Sequence, residues 1–177
     1  MKVVFNLILL ILMVQNFMLA DFSNDYNPNS WLVVDDVVMG GRSNGTFRIN
    51  KDGHGVFKGN VSLENNGGFS SVRHRFNTLD VSSYKKVVIK LKGDGNRYQF
   101  RLKSSLSDYH SYISYFETNK KWQTIEINLN DMYPTFRGRR LRRMNFPGDE
   151  IAEIAFLIGN KKAQEFELII DNIQLVK

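Results

Sequence analysis

Few side chains in this 177-residue sequence have the partners that catalysis needs. The neighbouring carboxylates Asp35 and Asp36, with Glu64, could form an acid–base pair of the kind that hydrolyses glycosides. Adjacent side chains on a strand point to opposite faces, so at most one of the two aspartates can face a given cleft. Ser70 and Ser71 have no evident base partner and no GxSxG motif. The sequence therefore predicts a protein that is not an enzyme.

Metal and cofactor motifs are also missing from the sequence. His54, His74 and His110 do not stand at metal-ligand spacing, and there is no HExxH motif. His74 lies between two arginines, where an exposed or hydrogen-bonded imidazole fits the pattern better than a catalytic base. The absence of cysteine excludes disulfides, thiol catalysis and cysteine-ligated metals. We expect no cofactor and no metal.

A glycine pair, Gly40-Gly41, separates a predicted strand at residues 31–35 from Arg42 and Ser43. Glycine allows backbone conformations that are closed to other residues, so the pair is suited to a tight crossing between two sheets. An alternative is an anion site made by the glycine amides beside Arg42 and Ser43. Neither GxGxxG nor GxxxxGK[ST] is present, so the crossing is our prediction.

A second glycine pair lies in the turn Asn65-Asn66-Gly67-Gly68, which has strand-like residues on both sides. Asn and Gly enter positive φ at least cost, so we predict a tight hairpin turn with at least one residue at positive φ. Glu64, Asn65, Asn66 and Arg73 offer donors and acceptors there for a binding partner. Alternatively, the asparagines cap the turn and Arg73 pairs with Glu64 or Asp36.

A basic cluster lies in the one long stretch without strand periodicity, residues 130–150. Arginine pairs with carboxylates and phosphates, and aromatic side chains supply apolar contact area, so the cluster fits a protein surface or a lipid headgroup. We expect Arg140, Arg142 and Arg143 to make the outward contact; the alternative is a solvated loop. The arginines of the cluster are Arg137, Arg139, Arg140, Arg142 and Arg143, and Tyr133, Phe136 and Phe146 flank them.

The remaining chain alternates short apolar runs with turn signals and has almost no helical pattern. On residues 98–103, Tyr98, Phe100 and Leu102 share one face, and polar residues occupy the other. About ten such strands predict an all-β fold, an antiparallel β-sandwich in a single domain over residues 30–177. The net charge of +6 is mixed in sign along the chain, which argues against a nucleic-acid partner.

The N-terminal segment has the pattern of a targeting signal. Lys2 precedes an apolar run, which predicts a signal peptide over residues 1–20, cleavage between Ala20 and Asp21, and a linker over residues 21–29. The protein would then be exported, to the periplasm or outside the cell. The alternative is an uncleaved segment that anchors the protein in a membrane.

The two glycine-rich stretches together resemble the signature of the complex I intermediate-associated protein 30 family, assembly factors for NADH:ubiquinone oxidoreductase. The resemblance implies a galactose-binding-domain-like sandwich of jelly-roll type. It also implies that Phe136 fixes the basic loop to the sandwich and that Arg137 pairs internally. The resembling residues are 36–45, 57–73, 93–95, 122–123, 134–139 and 166–168. The residues expected to serve the fold are Trp31, Asp36, Gly40, Gly41, Arg42, Gly67, Gly68, Phe136 and Arg137.

The resemblance predicts a non-enzymatic, chaperone-like binding protein for a partly assembled membrane complex. Its partner would be a protein, such as a subunit of that complex, with an anionic membrane surface as a further contact. The predicted export signal restricts an exported copy to the outward face of such a complex. The alternative function is an exported carbohydrate-binding module, which exposed aromatic side chains in a line on one face would support.

Overall fold

The computed structural model describes residues 16–22, 27 and 30–177. In these residues the chain is built of antiparallel strands with short 3₁₀ turns. The strands are β1 (Phe17–Asp21), β2 (Trp31–Asp35), β3 (Asn44–Ile49), β4 (Gly55–Val61), β5 (Ser70–Asp80), β6 (Lys86–Lys92), β7 (Arg97–Lys103), β8 (Ser111–Glu117), β9 (Trp122–Asn128), β10 (Tyr133–Phe136), β11 (Arg139–Arg140), β12 (Glu150–Ile158) and β13 (Gln164–Val176).

Two sheets form the sandwich. The first has the order β3-β4-β13-β6-β9, with β1 also paired to β13, and the second has the order β11-β10-β8-β7-β12-β5-β2. Neighbours in the sheets are mostly distant in sequence, which is the jelly-roll arrangement. The predicted all-β antiparallel sandwich is confirmed. No helix in the described ranges is long and apolar enough to cross a membrane.

The core lies between the sheets and follows the alternation of the strands. Tyr98, Phe100 and Leu102 are at most 1% exposed, whereas Arg101 and Lys103, on the other face of β7, point away from the core. Each buried apolar side chain of this size contributes about 1.5–3 kcal/mol to folding. The predicted alternation of β7 is confirmed, and it gives the second sheet a polar outer face. That face is less wet than predicted, because Gln99 is buried and Arg101 and Lys103 are half-buried.

The N-terminal segment contributes a strand that the sequence did not predict. Phe17–Asp21 pairs with residues 172–175 of β13, and Ala20 and Phe22 are buried. Residues 31–35 therefore form the second strand rather than the first. The predicted cleavage point lies inside β1, and cleavage stays a prediction. Most of the predicted signal peptide, residues 1–15, and the linker residues 23–26 and 28–29 lie outside the described residues.

The turn at residues 65–68 is not a hairpin, because β4 and β5 belong to different sheets. The chain forms a 3₁₀ turn at Glu64–Asn66 and crosses from the first sheet to the second. Positive φ is confirmed at three of the four positions: Asn65 (54°), Asn66 (59°) and Gly68 (141°). A hairpin and a crossing need the same residue types at the turn, so local sequence does not distinguish them.

Candidate functional site

The two glycine-rich stretches meet at one buried carboxylate, that of Asp36. Its Oδ1 accepts from the Ser43 amide at 2.9 Å. Its Oδ2 accepts from the amides of Gly68 at 2.6 Å and Phe69 at 3.2 Å, and from the Ser43 hydroxyl. The Gly41 amide donates to the Asp36 carbonyl at 3.1 Å. Asp36 thus ties the β2–β3 crossing to the β4–β5 crossing.

Two opposing effects set the pKa of the Asp36 carboxyl. Burial raises it, but the hydrogen bonds from Ser43, Gly68 and Phe69 outweigh that effect and lower the pKa below its ordinary value of 3.8. A carboxylate with this many donors keeps its charge at neutral pH and has few free lone pairs. In this structure the Asp36 carboxylate serves as an internal hydrogen-bond acceptor that joins the two crossings.

The glycines leave the space that this carboxylate occupies. A Cβ on Gly41 would collide with the Asp36 carboxyl group, and a Cβ on Gly67 would lie 2.6 Å from Asp36 Oδ2. Gly40 has φ of 89° and no atom near its missing Cβ, so its requirement is conformational. The predicted tight crossing between sheets is confirmed. The anion held there belongs to the chain itself.

The polar residues of the second stretch do not act as one group. Glu64 forms an exposed ion pair with Arg42, N to O 3.1 Å, and Asn65 donates to the Gly40 carbonyl at 3.1 Å. The alternative in which Arg73 pairs with Glu64 or Asp36 is not found, because neither carboxylate lies within ion-pair distance of Arg73. Arg73 and Asn66 instead line a groove on the second sheet.

This groove, of about 650 Å³, lies on the outer face of the second sheet. Strands β5, β12, β7, β8 and β10 form its floor, and the two crossings and the loop after β10 form its walls. The lining is cationic and partly apolar. It consists of Met39, Leu63, Asn66, Gly67, Gly68, Phe69, Arg73, Gln99, Arg101, Lys103, Tyr109, Ser111, Thr135, Phe136, Arg137, Gly138, Leu157, Gly159 and Lys161.

Arg101 is the least solvated cation of the groove floor. Burial, and after it the positive charge of Arg73, lower the pKa of its guanidinium to about 10, against smaller opposing effects of Tyr115 and Glu153. Its Nη1 donates to Gln99 Oε1 at 3.0 Å. In the described part of the chain, no carboxylate lies within ion-pair distance of Arg73 or Arg101.

Arginine side chains cover aromatic rings around the groove. In each case the guanidinium lies over a ring, between 4.4 and 5.4 Å from its centroid, which is favourable for a cation–π contact. A second cavity of about 200 Å³ continues the groove between Arg101, Tyr115 and Tyr133. The pairs are Arg97 on Tyr115, Arg137 on Phe136, Arg140 on Tyr133 and Arg143 on Tyr109.

The basic loop is an ordered part of the sandwich. The expected roles of Phe136 and Arg137 are wrong, because both are exposed and Arg137 contacts the Phe136 ring rather than an acid. Phe146 is the buried anchor, 2% exposed, with its amide bonded to the Met132 carbonyl at 2.9 Å. The Leu141 amide also donates to the Pro134 carbonyl.

The outward arginines of the loop divide between two places. Arg140 lines the small cavity beside the groove, and Arg140, Arg142 and Arg143 all border an open hollow at the loop's outer side. Arg142 is exposed and lines neither the groove nor the small cavity. The three arginines therefore lie on the surface, but they do not form one patch with Glu64 and Asn65.

Several groove residues were not predicted as site residues, above all Gln99, Arg101 and Lys103. The alternation of β7 placed them on a wet face but did not show which strand would lie beside them. Strand β12, from the C-terminal quarter of the chain, separates β7 from β5. No local pattern identifies that neighbour.

Ser70, Ser71 and His74 have structural partners. Ser70 donates to Asp35 Oδ1 at 2.5 Å and Ser71 to the Val34 carbonyl at 2.8 Å. The His74 ring stacks on Trp31, 5.0 Å between centroids, and burial lowers the pKa of His74. Within the described ranges, no three His, Asp or Glu side chains are grouped as a metal site would require.

Comparison with known sequences matches this chain to one family. The family model described as Complex I intermediate-associated protein 30 matches residues 20–170. A Drosophila melanogaster relative, "Complex I intermediate-associated protein 30, mitochondrial", is 25% identical over 180 residues. The match covers 88% of this chain and 61% of the relative, so the chain spans less than two thirds of that protein.

Comparison with solved structures gives the same sandwich. The family 11 carbohydrate-binding module of a Clostridium thermocellum cellulosomal cellulase has a TM-score of 0.69 at 20% identity, over 92% of this chain and 95% of the module. A structure of that family's module with a β-1,3-1,4-mixed-linked tetrasaccharide has a TM-score of 0.68 at 20% identity, over 92% and 96%. At this identity the likeness establishes the fold alone.

Proposed function

Because the chain belongs to the complex I intermediate-associated protein 30 family, we propose that it is a non-enzymatic binding protein. It holds a protein partner, a subunit of a partly assembled membrane complex, in the groove of the second sheet. The family supports the class of partner, since the Drosophila relative is named for association with a complex I intermediate. The groove supports the location of the contact.

The observation that carries this proposal is the unbalanced charge of the groove. Its lining includes Arg73, Arg101, Lys103, Arg137 and Lys161, and its described residues include no aspartate or glutamate. Some cations elsewhere in the described residues do have a carboxylate partner, as in Lys86 with Glu126 and Lys90 with Asp171. A groove with cations and no internal counter-charge favours a complementary partner.

A second candidate function is carbohydrate binding in the same groove. The aromatic side chains Tyr109, Tyr115, Tyr133 and Phe136 border the groove and its extension, as a sugar-binding face requires. One face of each ring, however, already has a guanidinium over it. A sugar would have to use the other ring face or displace the arginine, so we favour the protein partner.

We further propose that the protein acts outside the cytoplasm, on the basis of the apolar segment after Lys2. The partner would then lie on the outward face of a membrane complex. If the segment is retained instead, it would anchor the groove close to the membrane surface. Both arrangements are compatible with a membrane-complex partner.

Site-specific photocrosslinking in intact cells tests the proposed function. A photoreactive phenylalanine analogue replaces Tyr109 at the groove or, as matched control, Trp122 on the other sheet; the native side chains are 53% and 43% exposed. We expect the Tyr109 probe to crosslink to a membrane-complex subunit, identified by mass spectrometry, and the Trp122 probe not to. Equal crosslinking at both positions, or recovery of glycans alone, would overturn the proposal.

A further inference from the structure

Two neighbouring rows of side chains run across strands β5, β12 and β7, and they differ at their middle position. Of these side chains, Arg73, Arg101 and Lys103 line the groove. Strand β12 lies between β5 and β7, so each outward residue of β12 has one neighbour on either side. In one row Glu153 stands opposite Arg75 and Lys103. In the next row Ala155 stands opposite Arg73 and Arg101.

The row through Glu153 contains its own counter-charge. Glu153 Oε2 accepts from Arg75 Nε at 2.8 Å, and the carboxylate is almost completely buried. On its other side, the Lys103 ammonium donates to the Asp108 carbonyl at 2.5 Å. One carboxylate on the middle strand thus compensates a cation of the neighbouring strand and leaves this row without an open anion site.

The row through Ala155 has cations on both sides and no carboxylate between them. Strands lie about 4.8 Å apart, so β5 and β7 are roughly 10 Å apart across β12. The methyl side chain of Ala155 is only 3% exposed, so its neighbours cover it, and Arg73 and Arg101 on either side line the groove. Arg73 and Arg101 repel each other there, which contributes to the lowered pKa of Arg101.

We propose that a carboxylate of an acidic peptide segment binds over Ala155, between Arg73 and Arg101. It takes the place that the Glu153 carboxylate has in the next row. The inference rests on the proposed function and names the chemistry of the partner: a stretch with Asp or Glu beside apolar residues. Guanidinium groups bind carboxylates through paired N–H donors, and two of them can share one carboxylate.

The other walls of the groove favour a peptide over an acidic sugar. Met39, Leu63 and Leu157 provide flexible apolar contacts close to the two arginines, which fit aliphatic or aromatic side chains of a peptide. The ring faces that a sugar would stack on already have arginines over them. These guanidinium groups are also positioned for further acidic side chains along the same segment.

Direct binding measurements test the ligand. The probes are a fluorescent peptide of alternating Glu and Leu, the same peptide with Gln for Glu, and an oligogalacturonate of similar length. We expect the Glu peptide to bind at least about tenfold more tightly than the Gln peptide, and less tightly at high salt. Tighter binding of the oligogalacturonate than of the Glu peptide would overturn the choice of a peptide.

Substitutions in the protein test the position. Arg73→Gln and Arg101→Gln should each lower the affinity for the Glu peptide about tenfold or more, because loss of one partner of a buried charge pair leaves the other charge without compensation. Arg48→Gln, on the first sheet and exposed, is the matched control and should leave the affinity unchanged. Equal effects of all three substitutions would show attraction to overall charge and overturn the site.

Ala155→Glu tests the geometry without any ligand. The new carboxylate should pair with Arg73 and Arg101, so the melting temperature of this variant should be several degrees above that of Ala155→Gln. The Ala155→Glu variant should also no longer bind the Glu peptide, because its own carboxylate occupies the site. Equal melting temperatures of Ala155→Glu and Ala155→Gln would overturn the placement of position 155 between the charges of Arg73 and Arg101. If Ala155→Glu has the higher melting temperature but the parent protein does not bind the Glu peptide, the arrangement of the charges is correct and the proposed peptide ligand is overturned. If Arg73→Gln leaves crosslinking from Tyr109 intact, the proposed function stands and the anion site does not.

Discussion

The Asp36 carboxylate and the Arg73–Arg101 pair are opposite kinds of charge arrangement. Asp36 is buried and receives four hydrogen bonds from Ser43, Gly68 and Phe69. Arg73 and Arg101 share a groove floor in which no described carboxylate is within ion-pair distance. The first arrangement is complete within the chain, whereas the second lacks a counter-charge.

The difference shows that a dense motif is not by itself a binding site. The glycine-rich residues that resemble the family signature are used in joining the two sheets. Their donors and acceptors are matched internally and are not available to a ligand. The groove residues, by contrast, are scattered along the sequence and form no motif. Unmatched charge, rather than motif density, distinguishes the candidate site from the scaffold.

Loss of the Asp36 charge should give the largest effect on stability. Asp36→Asn replaces one acceptor oxygen by an N–H₂ group among four donors, and we expect a loss on the order of 3 kcal/mol in the free energy of unfolding. The control is Asp52→Asn, in the exposed β3–β4 turn. Urea unfolding measures both variants. Equal stability of both variants and the parent would show that the Asp36 contacts are not structural.

The same contacts predict a dependence of stability on pH. The pKa of Asp36 is lowered in the folded protein below its ordinary value of 3.8. The stabilisation of the fold by its carboxylate is therefore fully present above pH 3.8 and is lost as the pH falls below that value. The difference in melting temperature between the parent and Asp36→Asn should therefore be full at pH 6 and narrow progressively below pH 3.8. A constant difference over this range would contradict a lowered pKa.

The paired glycines Gly40 and Gly41 should respond differently to the same substitutions. Gly41→Ala places a methyl group against Asp36, and we expect a loss of about 2 kcal/mol, since neither group can move far. Gly40→Ala should lower the free energy of unfolding by about 1 kcal/mol, because alanine is strained at the positive φ of this position. Gly40→Asn should lower it less, because Asn tolerates positive φ. Thermal melts of Gly40→Asn and Gly41→Asn give the clearest contrast. Equal melting of these two would contradict the distinction.

Removal of β1 should have a smaller effect. A chain that begins at Asp21 lacks most of the strand paired with residues 172–175, and it loses the buried Ala20. We expect it to melt a few degrees below a chain that begins at Asn16, because about 1–2 kcal/mol of pairing and burial are lost. Mass spectrometry of the natural N-terminus then decides where the mature protein begins. Identical melting of the two chains would show that β1 adds nothing to the fold.

The fold was largely accessible from the sequence because alternation is a local signal. Tyr98, Phe100 and Leu102 indicated the inner face of β7, and the structure buries all three. β1 was missed because Phe17–Asp21 continues an apolar segment that has the pattern of an export signal. The hairpin at residues 65–68 was wrong because the sheet to which the next strand belongs is decided by distant residues.

The candidate site was only partly accessible for the same reason. Asn66, Arg73 and Arg140 were predicted and lie at the groove or beside it. Arg101 was seen only as a residue on a wet face. The decisive feature is Ala155 between two arginines, and it depends on the pairing of β12 with both β5 and β7. An alanine in an apolar run gives no sequence signal of a ligand.

The smallest effect on stability, and the sharpest check that the groove is the unmatched region, should come from the basic loop. Arg140, Arg142 and Arg143 are exposed, and the loop is held by Phe146 and by the Leu141 amide rather than by these side chains. Replacing all three by Ser should therefore leave the melting temperature within a few degrees of the parent. Near an anionic membrane each Arg contributes about 1 kcal/mol, so co-sedimentation with phosphatidylserine vesicles should weaken at low salt.

The basic-loop triple variant also separates membrane attraction from groove binding. Arg142→Ser alone should reduce vesicle binding and leave the Glu peptide unaffected, because Arg142 lies outside the groove. Arg101→Gln should do the reverse, because Arg101 lines the groove and does not border the hollow at the loop's outer side. Such a double dissociation would assign the two cationic regions to different ligands. If the triple variant leaves vesicle binding unchanged at both low and high salt, the loop is only a solvated surface, and the groove remains the candidate site for an anionic partner.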